Sequence, residues 1–154
     1  LYNEPYAVTI RGSLAGERLA AALNSLVTRH EILRTSFDVE DGVPVQRVHA
    51  PTPLPLGYKD LRVLAPHERE PAVRRLHDEL AQAPFELRTP PLLRVILVRL
   101  AEDEHRLLFT LHHAIFDGVS FGRVLMPELL HSYRSADQRG ALPAAADWLI
   151  SRLK

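Results

Sequence analysis

The residues in this chain best suited by type to do chemistry are the adjacent His112 and His113, followed by Asp117 and Gly118. Imidazole titrates nearest neutrality, so a histidine can exchange a proton or hold a developing charge. Asp117 after a tight loop can shape that loop, and Gly118 permits close backbone approach or a positive φ. Neighbouring residues on a strand point to opposite faces, so His112 and His113 cannot both reach one substrate. One is expected to face the interior and the other a cleft. The same alternation argues against a metal ion shared between them, and no His-Glu-x-x-His pair exists elsewhere, so no metal site is expected. Taken singly, a buried strand histidine is usually a hydrogen-bonded core residue, and Asp-Gly after a strand is usually a turn.

The elements that must position these residues are legible from periodicity. Tyr6 to Ile10 alternates and reads as a strand ending near Arg11-Gly12. Ser13 can then cap a helix over 13–30, with Leu19, Leu23, Leu26, Val27 and His30 on one stripe. Segments 34–39 and 43–48 read as two strands around the turn Glu40-Asp41-Gly42, with Pro44 early in its strand or on an edge. The proline-rich stretch 51–58 reads as an extended connector. A second helix is expected over 66–83, burying Val73, Leu76 and Leu80. Segments 92–100 and 106–113 form a hairpin whose nearly continuous apolar character suits central strands covered on both faces. The two histidines fall where its second strand ends. A third helix starts at Gly118, with Val124, Leu125, Leu129 and Leu130 apolar and Ser120 or Asp117 as its cap. Its first amides form a partly positive end, a plausible oxyanion-stabilising neighbour for a histidine. A final short helix is expected over 144–153. The expected class is α+β, a mostly antiparallel sheet with helices packed against it, in a single domain over 1–154.

Composition narrows the function. With 154 residues, 46% hydrophobic and 25% charged, the chain describes an ordinary globular domain. Its 19 basic and 19 acidic residues cancel, which argues against binding to nucleic acid or to a membrane surface. There is no cysteine, so thiol nucleophiles, disulfides and zinc–cysteine sites are excluded. That fits a reducing compartment, and a cytoplasmic location is expected. The most apolar stretch, 90–100, is cut by Arg94 and Arg99 and is too short to span a bilayer.

Two segments together carry a family resemblance. The run Leu111 to Ser120 closely resembles the HHxxxDG motif of the condensation domains of nonribosomal peptide synthetases. Arg29-His30-Glu31-Ile32-Leu33-Arg34-Thr35-Ser36-Phe37 resembles that family's RHExLRTxF motif at every specified position. A weaker match, Ala146-Asp147-Trp148, resembles its YxDYA-type motif with alanine in place of tyrosine. The resemblance implies a chloramphenicol-acetyltransferase-like lobe, the N-terminal one of two that enclose a tunnel. It implies an acyltransferase-type reaction in antibiotic and other secondary-metabolite biosynthesis: amide formation between a carrier-bound acyl or peptidyl thioester and an aminoacyl acceptor. No cofactor would bind directly. The substrates would ride on phosphopantetheine arms of donor and acceptor carrier proteins.

By the same resemblance His113 is the catalytic histidine and His112 its structural neighbour. Asp117 would pair with Arg34 to hold the loop, and Gly118 would keep the channel open to the pantetheine arm. Whether His113 removes a proton or positions the amine and stabilises charge is open. Arg29, His30 and Glu31 read as structural, at a helix C-terminus where basic residues suit the dipole. The family's opening motif and second lobe have no counterpart here, so a lobe with an exposed inner face that self-associates is expected. Epimerisation and starter-acylation domains share HHxxxDG and are alternative subtypes. A non-catalytic module recruiting a carrier protein or tailoring enzyme is a further alternative, though such modules usually lose the motif histidine. Phe116 stands where many relatives carry serine.

Overall fold

The computed structural model describes residues 2–135 and 147–151. A five-stranded sheet runs in the order β4-β5-β6-β1-β7, built from β4 (Leu56–Asp60), β5 (Leu93–Ala101), β6 (Glu104–His112), β1 (Asn3–Arg11) and β7 (Asp147–Ser151). All pairings are antiparallel except β4 with β5. A two-stranded ribbon, β2 (Thr35–Glu40) and β3 (Val43–Val48), stands apart from it. It is tied back where Phe37 donates its N–H to the Leu87 carbonyl at 2.8 Å. This is the expected α+β, mostly antiparallel architecture.

Alternation on the strands explains how the sheet is covered. Tyr6, Val8 and Ile10, with Leu107, Phe109 and Leu111, face α1 (Gly16–Arg29) and the helix that follows the histidines. Ala7, Val98, Leu100 and Leu108 face α2 (Pro66–Gln82) on the other side, against Val73 with Leu76 and Leu80. The central strands are therefore apolar on both faces, which is why 92–100 and 106–113 lack a clean period of two. Each fully buried leucine in these layers contributes about 1.5–3 kcal/mol of transfer free energy. No helix among the described residues is long and apolar enough to cross a membrane.

Several expectations are corrected. The first helix begins at Gly16, so Ser13 is not its cap. Gly12, at φ 104°, bonds the Asp103 carbonyl at 2.7 Å and prolongs the strand end. The first helical turn is instead met by the Tyr133 hydroxyl, which accepts from the Ala15 N–H at 3.0 Å. Of the predicted stripe, Leu19, Leu23, Leu26 and Val27 are buried. His30 turns away to bond Glu128. The connector over 51–58 contains the start of β4, which local pattern misses because its only partner is a parallel strand almost forty residues away. Gly57 suits that pairing, since a Cβ there would lie 3.0 Å from Ile96 Cγ1. The final helix is also corrected. Asp147–Ser151 is a strand paired with β1, and residues 144–146 and 152–153 lie outside the described ones. An open edge of β1 outweighs the weak helical pattern of that segment.

Candidate active site

His112 closes β6 and His113 begins the turn that leaves it. Register against β1 sets both. Asn3 is opposite His112, and the ladder extends by one bond as the His113 N–H donates to the Tyr2 carbonyl at 2.7 Å. The His112 ring lies 6.2 Å from both the Tyr2 ring and the Phe85 ring, edge-on to the latter. The His112 backbone N–H donates to the Leu92 carbonyl at 3.0 Å, and the ring Nδ1 accepts from the Ala114 N–H at 3.1 Å. Burial, and then the adjacent His113, push the His112 pKa down, which favours the neutral ring that this bond requires. His113 points the other way and its side chain is 54% exposed. The alternation argument thus separates the two histidines, with His112 half-buried and His113 open.

The turn is compact because the Ile115 N–H bonds the His112 carbonyl at 3.0 Å and the Ile115 side chain drops into the core. Asp117 follows in extended conformation, φ −121° and ψ 170°, and its Oδ1 accepts from the Ser120 N–H at 2.7 Å. Asp117, of the two possible caps, therefore starts the helix. That bond, the Ser120 hydroxyl and the field of His113 hold its carboxyl below the usual range. Gly118 opens α3 (Gly118–Ser120). Among the described glycines only Gly12 and Gly42 have positive φ, so Gly118 is not there for a left-handed backbone. α3 runs through a π-helical turn, Phe121–Leu125, into α4 (Met126–Ser135). The wider turn leaves the expected core position Val124 39% exposed, while Leu125 and Leu129 stay buried.

Arg34 sits elsewhere. It ends the 3₁₀ turn Glu31–Arg34, where its Nη1 donates to the His49 carbonyl at 2.6 Å and Nη2 lies 3.7 Å from Glu31 Oε1. Its Nε is buried without a hydrogen-bond partner, beside a cavity of about 170 Å³. The expected Arg34–Asp117 pair is thus replaced: the carboxylate goes to the amide at its own helix start and the guanidinium to the end of the β2–β3 ribbon. The first residues of that second motif join two helices. His30 Nε2 lies 2.6 Å and Arg29 Nη1 3.5 Å from Glu128 Oε2, which ties α1 to α4 and lowers the Glu128 pKa, chiefly through His30. Of the weaker third motif, Asp147 and Trp148 open β7, and Ala146 lies outside the described residues.

Two neighbours of the histidines were not legible from local pattern. Tyr2 supplies the carbonyl that fixes the His113 backbone, and Glu4 Oε1 lies 3.9 Å from His113 Nδ1. Only the β1–β6 register, which no local period encodes, brings the chain start to residue 113. The arrangement presents one exposed imidazole, flanked by carboxylates, at the end of a rigid central strand and beside a helix start. It can accept a hydrogen bond or a proton from a substrate approaching from the open side.

Comparison with known proteins agrees in family and fold. A condensation-domain family model matches residues 1–147. Gramicidin S synthase 2 of Brevibacillus brevis is 42% identical over 142 residues, covering 92% of this chain and 3% of that protein. Phosphinothricin tripeptide synthetase PhsC of Streptomyces viridochromogenes is 37% identical over 156 residues, 96% of this chain and 14% of that protein. The chain thus spans a small fraction of the curated relatives it matches. Among solved structures, the SgcC5 protein of Streptomyces globisporus superposes with a TM-score of 0.80 at 30% identity, over 92% of this chain and 32% of that one. A structure described for condensation domain-mediated chain release from the enacyloxin polyketide synthase gives 0.73 at 34% identity, over 94% and 28%.

Proposed function

The chain belongs to the condensation-domain family, and from that premise we propose that it is the histidine-bearing lobe of a peptide-synthetase condensation domain. Its reaction joins a carrier-bound acyl or peptidyl thioester to the amine of a carrier-bound aminoacyl group. The C–N bond forms, the C–S bond breaks, and the amine proton leaves with the thiolate as free thiol. A thioester is already activated, so most of the acceleration comes from holding the amine and the carbonyl in line. His113 is the group that touches the reacting amine. The observation that supports this is its exposed ring on a backbone pinned to Tyr2, with His112 half-buried behind it.

The remaining residues keep that ring in place. His112 fills the space between Tyr2 and Phe85 and seals the turn through Ala114. Asp117 starts the helix whose exposed first residues, Gly118 and Val119, stand close after His113 in the chain. We read Gly118 as leaving room for the phosphopantetheine arm that brings substrate in. The donor and acceptor carrier proteins are the partners this reading requires.

The test uses the full-length protein with donor and acceptor carriers loaded, and the amide is read by intact mass. His113→Ala is expected to lower the rate by about 10²–10⁴-fold, the usual range for a positioned acid–base group. Turnover at the normal rate by His113→Ala would overturn the assignment.

A further inference from the structure

The motif histidine has a neighbour that neither motif contains. On β1, Glu4, Tyr6, Val8 and Ile10 share one face, and register puts Glu4 opposite Leu111, one step from the point where His113 bonds Tyr2. Glu4 therefore sits diagonally beside His113 on the same face, with Oε1 3.9 Å from Nδ1. Its other oxygen, Oε2, accepts from the Tyr6 hydroxyl at 3.3 Å. Tyr6 is itself immobilised: it is 4% exposed, and its ring stacks on Phe121 at 3.9 Å. Phe121 begins the π-helical turn and donates its N–H to the Asp117 carbonyl at 3.0 Å. A packed path thus runs from the helix cap through Phe121 and Tyr6 to Glu4 and the imidazole.

We propose that Glu4 is a positioning residue for His113, holding the ring by Nδ1 so that Nε2 carries the lone pair toward the substrate amine. The 3.9 Å separation is an ion-pair distance. Catalytic hydrogen bonds are commonly long in a free enzyme and tighten when substrate is bound. A carboxylate on Nδ1 selects the tautomer with its proton there and supports the imidazolium if Nε2 takes a proton. The other groups facing the ring are Asp117 from the helix cap, which adds negative field, and His112 from β6, which opposes it. Tyr2 contributes its carbonyl to the His113 backbone.

This rests on His113 being the catalytic group, so the experiment separates the two ideas. In the full-length protein, Glu4→Gln is expected to lower kcat about tenfold with KM within about twofold, as loss of an interaction that matters in the transition state does. Tyr6→Phe, which keeps the stack on Phe121, should give a smaller change in the same direction. In a His113→Ala background, Glu4→Gln should cost nothing further. Independently of turnover, the ring tautomer of His113, read from the ring ¹⁵N shifts of histidine-labelled protein, should carry its proton on Nδ1 in the parent and lose that preference in Glu4→Gln. An unchanged tautomer, or an equal loss in the His113→Ala background, overturns the pairing. A changed tautomer together with normal turnover by His113→Ala keeps the pairing and overturns the catalytic reading instead.

Discussion

At the scale of single residues, the histidine turn is held by Asp117 and His112, and the fold lowers the pKa of both. The Asp117 carboxyl has its pKa lowered in the fold, by the Ser120 amide first. A lowered acid contributes its full stabilisation above the ordinary carboxylate range and loses it as pH falls through the folded value. His112 is also lowered, by burial first, so the fold prefers it neutral. Its contribution is complete above the ordinary histidine range and fades as pH falls through the lowered value. Asp117→Asn should keep the cap, since asparagine caps as well as aspartate, whereas Asp117→Ala should melt at a lower temperature near neutrality. His112→Gln should flatten the mildly acidic limb of the melting curve, and Asp117→Asn the strongly acidic one. Thermal melts followed by circular dichroism across pH check both. At this scale the sequence was informative about His112, His113 and Asp117, because residue type and strand alternation act locally. It misassigned the partner of Asp117, because a helix-start amide three residues on competes directly with a distant guanidinium.

At the scale of elements, the site depends on how β6 is flanked. Phe121 is 1% exposed, stacks on Tyr6 and meets Phe109 edge-on at 5.3 Å. Phe121→Ala should cost about 3–5 kcal/mol, the usual range for emptying a buried aromatic position. Urea midpoints report the loss, and activity should fall with it because Tyr6 loses its stack. The β4–β5 pairing has its own probe in Gly57. A valine there must displace Ile96 from a 3.0 Å approach, and overpacking of this kind costs about 1–3 kcal/mol. A midpoint equal to the parent's would show that the edge strand yields without penalty. The link between α1 and α4 through His30 and Glu128 is weaker. Glu128→Gln should cost about 0.5 kcal/mol in the same denaturation, because the carboxylate is partly exposed. The second motif contributes packing contacts in this chain: its histidine joins helices, and its Leu33 is buried.

At the scale of the whole molecule, two large apolar side chains in the segment after the histidine turn lie exposed. Val119 is 62% and Val124 39% exposed, downstream of the exposed His113 and Gly118. The 154-residue chain by itself is expected to associate as concentration rises. Light scattering should show the average mass increasing, and Val119→Ser with Val124→Ser should weaken it. A sharp monomer mass at high concentration would count against that expectation. What the sequence by itself determined is the α+β class, most element spans, the separation of His112 from His113, and the family. The first three follow from residue type and from periods of two or 3.6 residues, which are properties of neighbours in the chain, and the family from the motifs at 29–37 and 111–120. Only the tertiary structure decided that 56–60 and 147–151 are edge strands, that Arg34 bonds His49 instead of Asp117, and that Glu4 stands beside His113. Those outcomes depend on strand register between segments far apart in sequence, where the pairing energy belongs to the partner and leaves no local pattern to read.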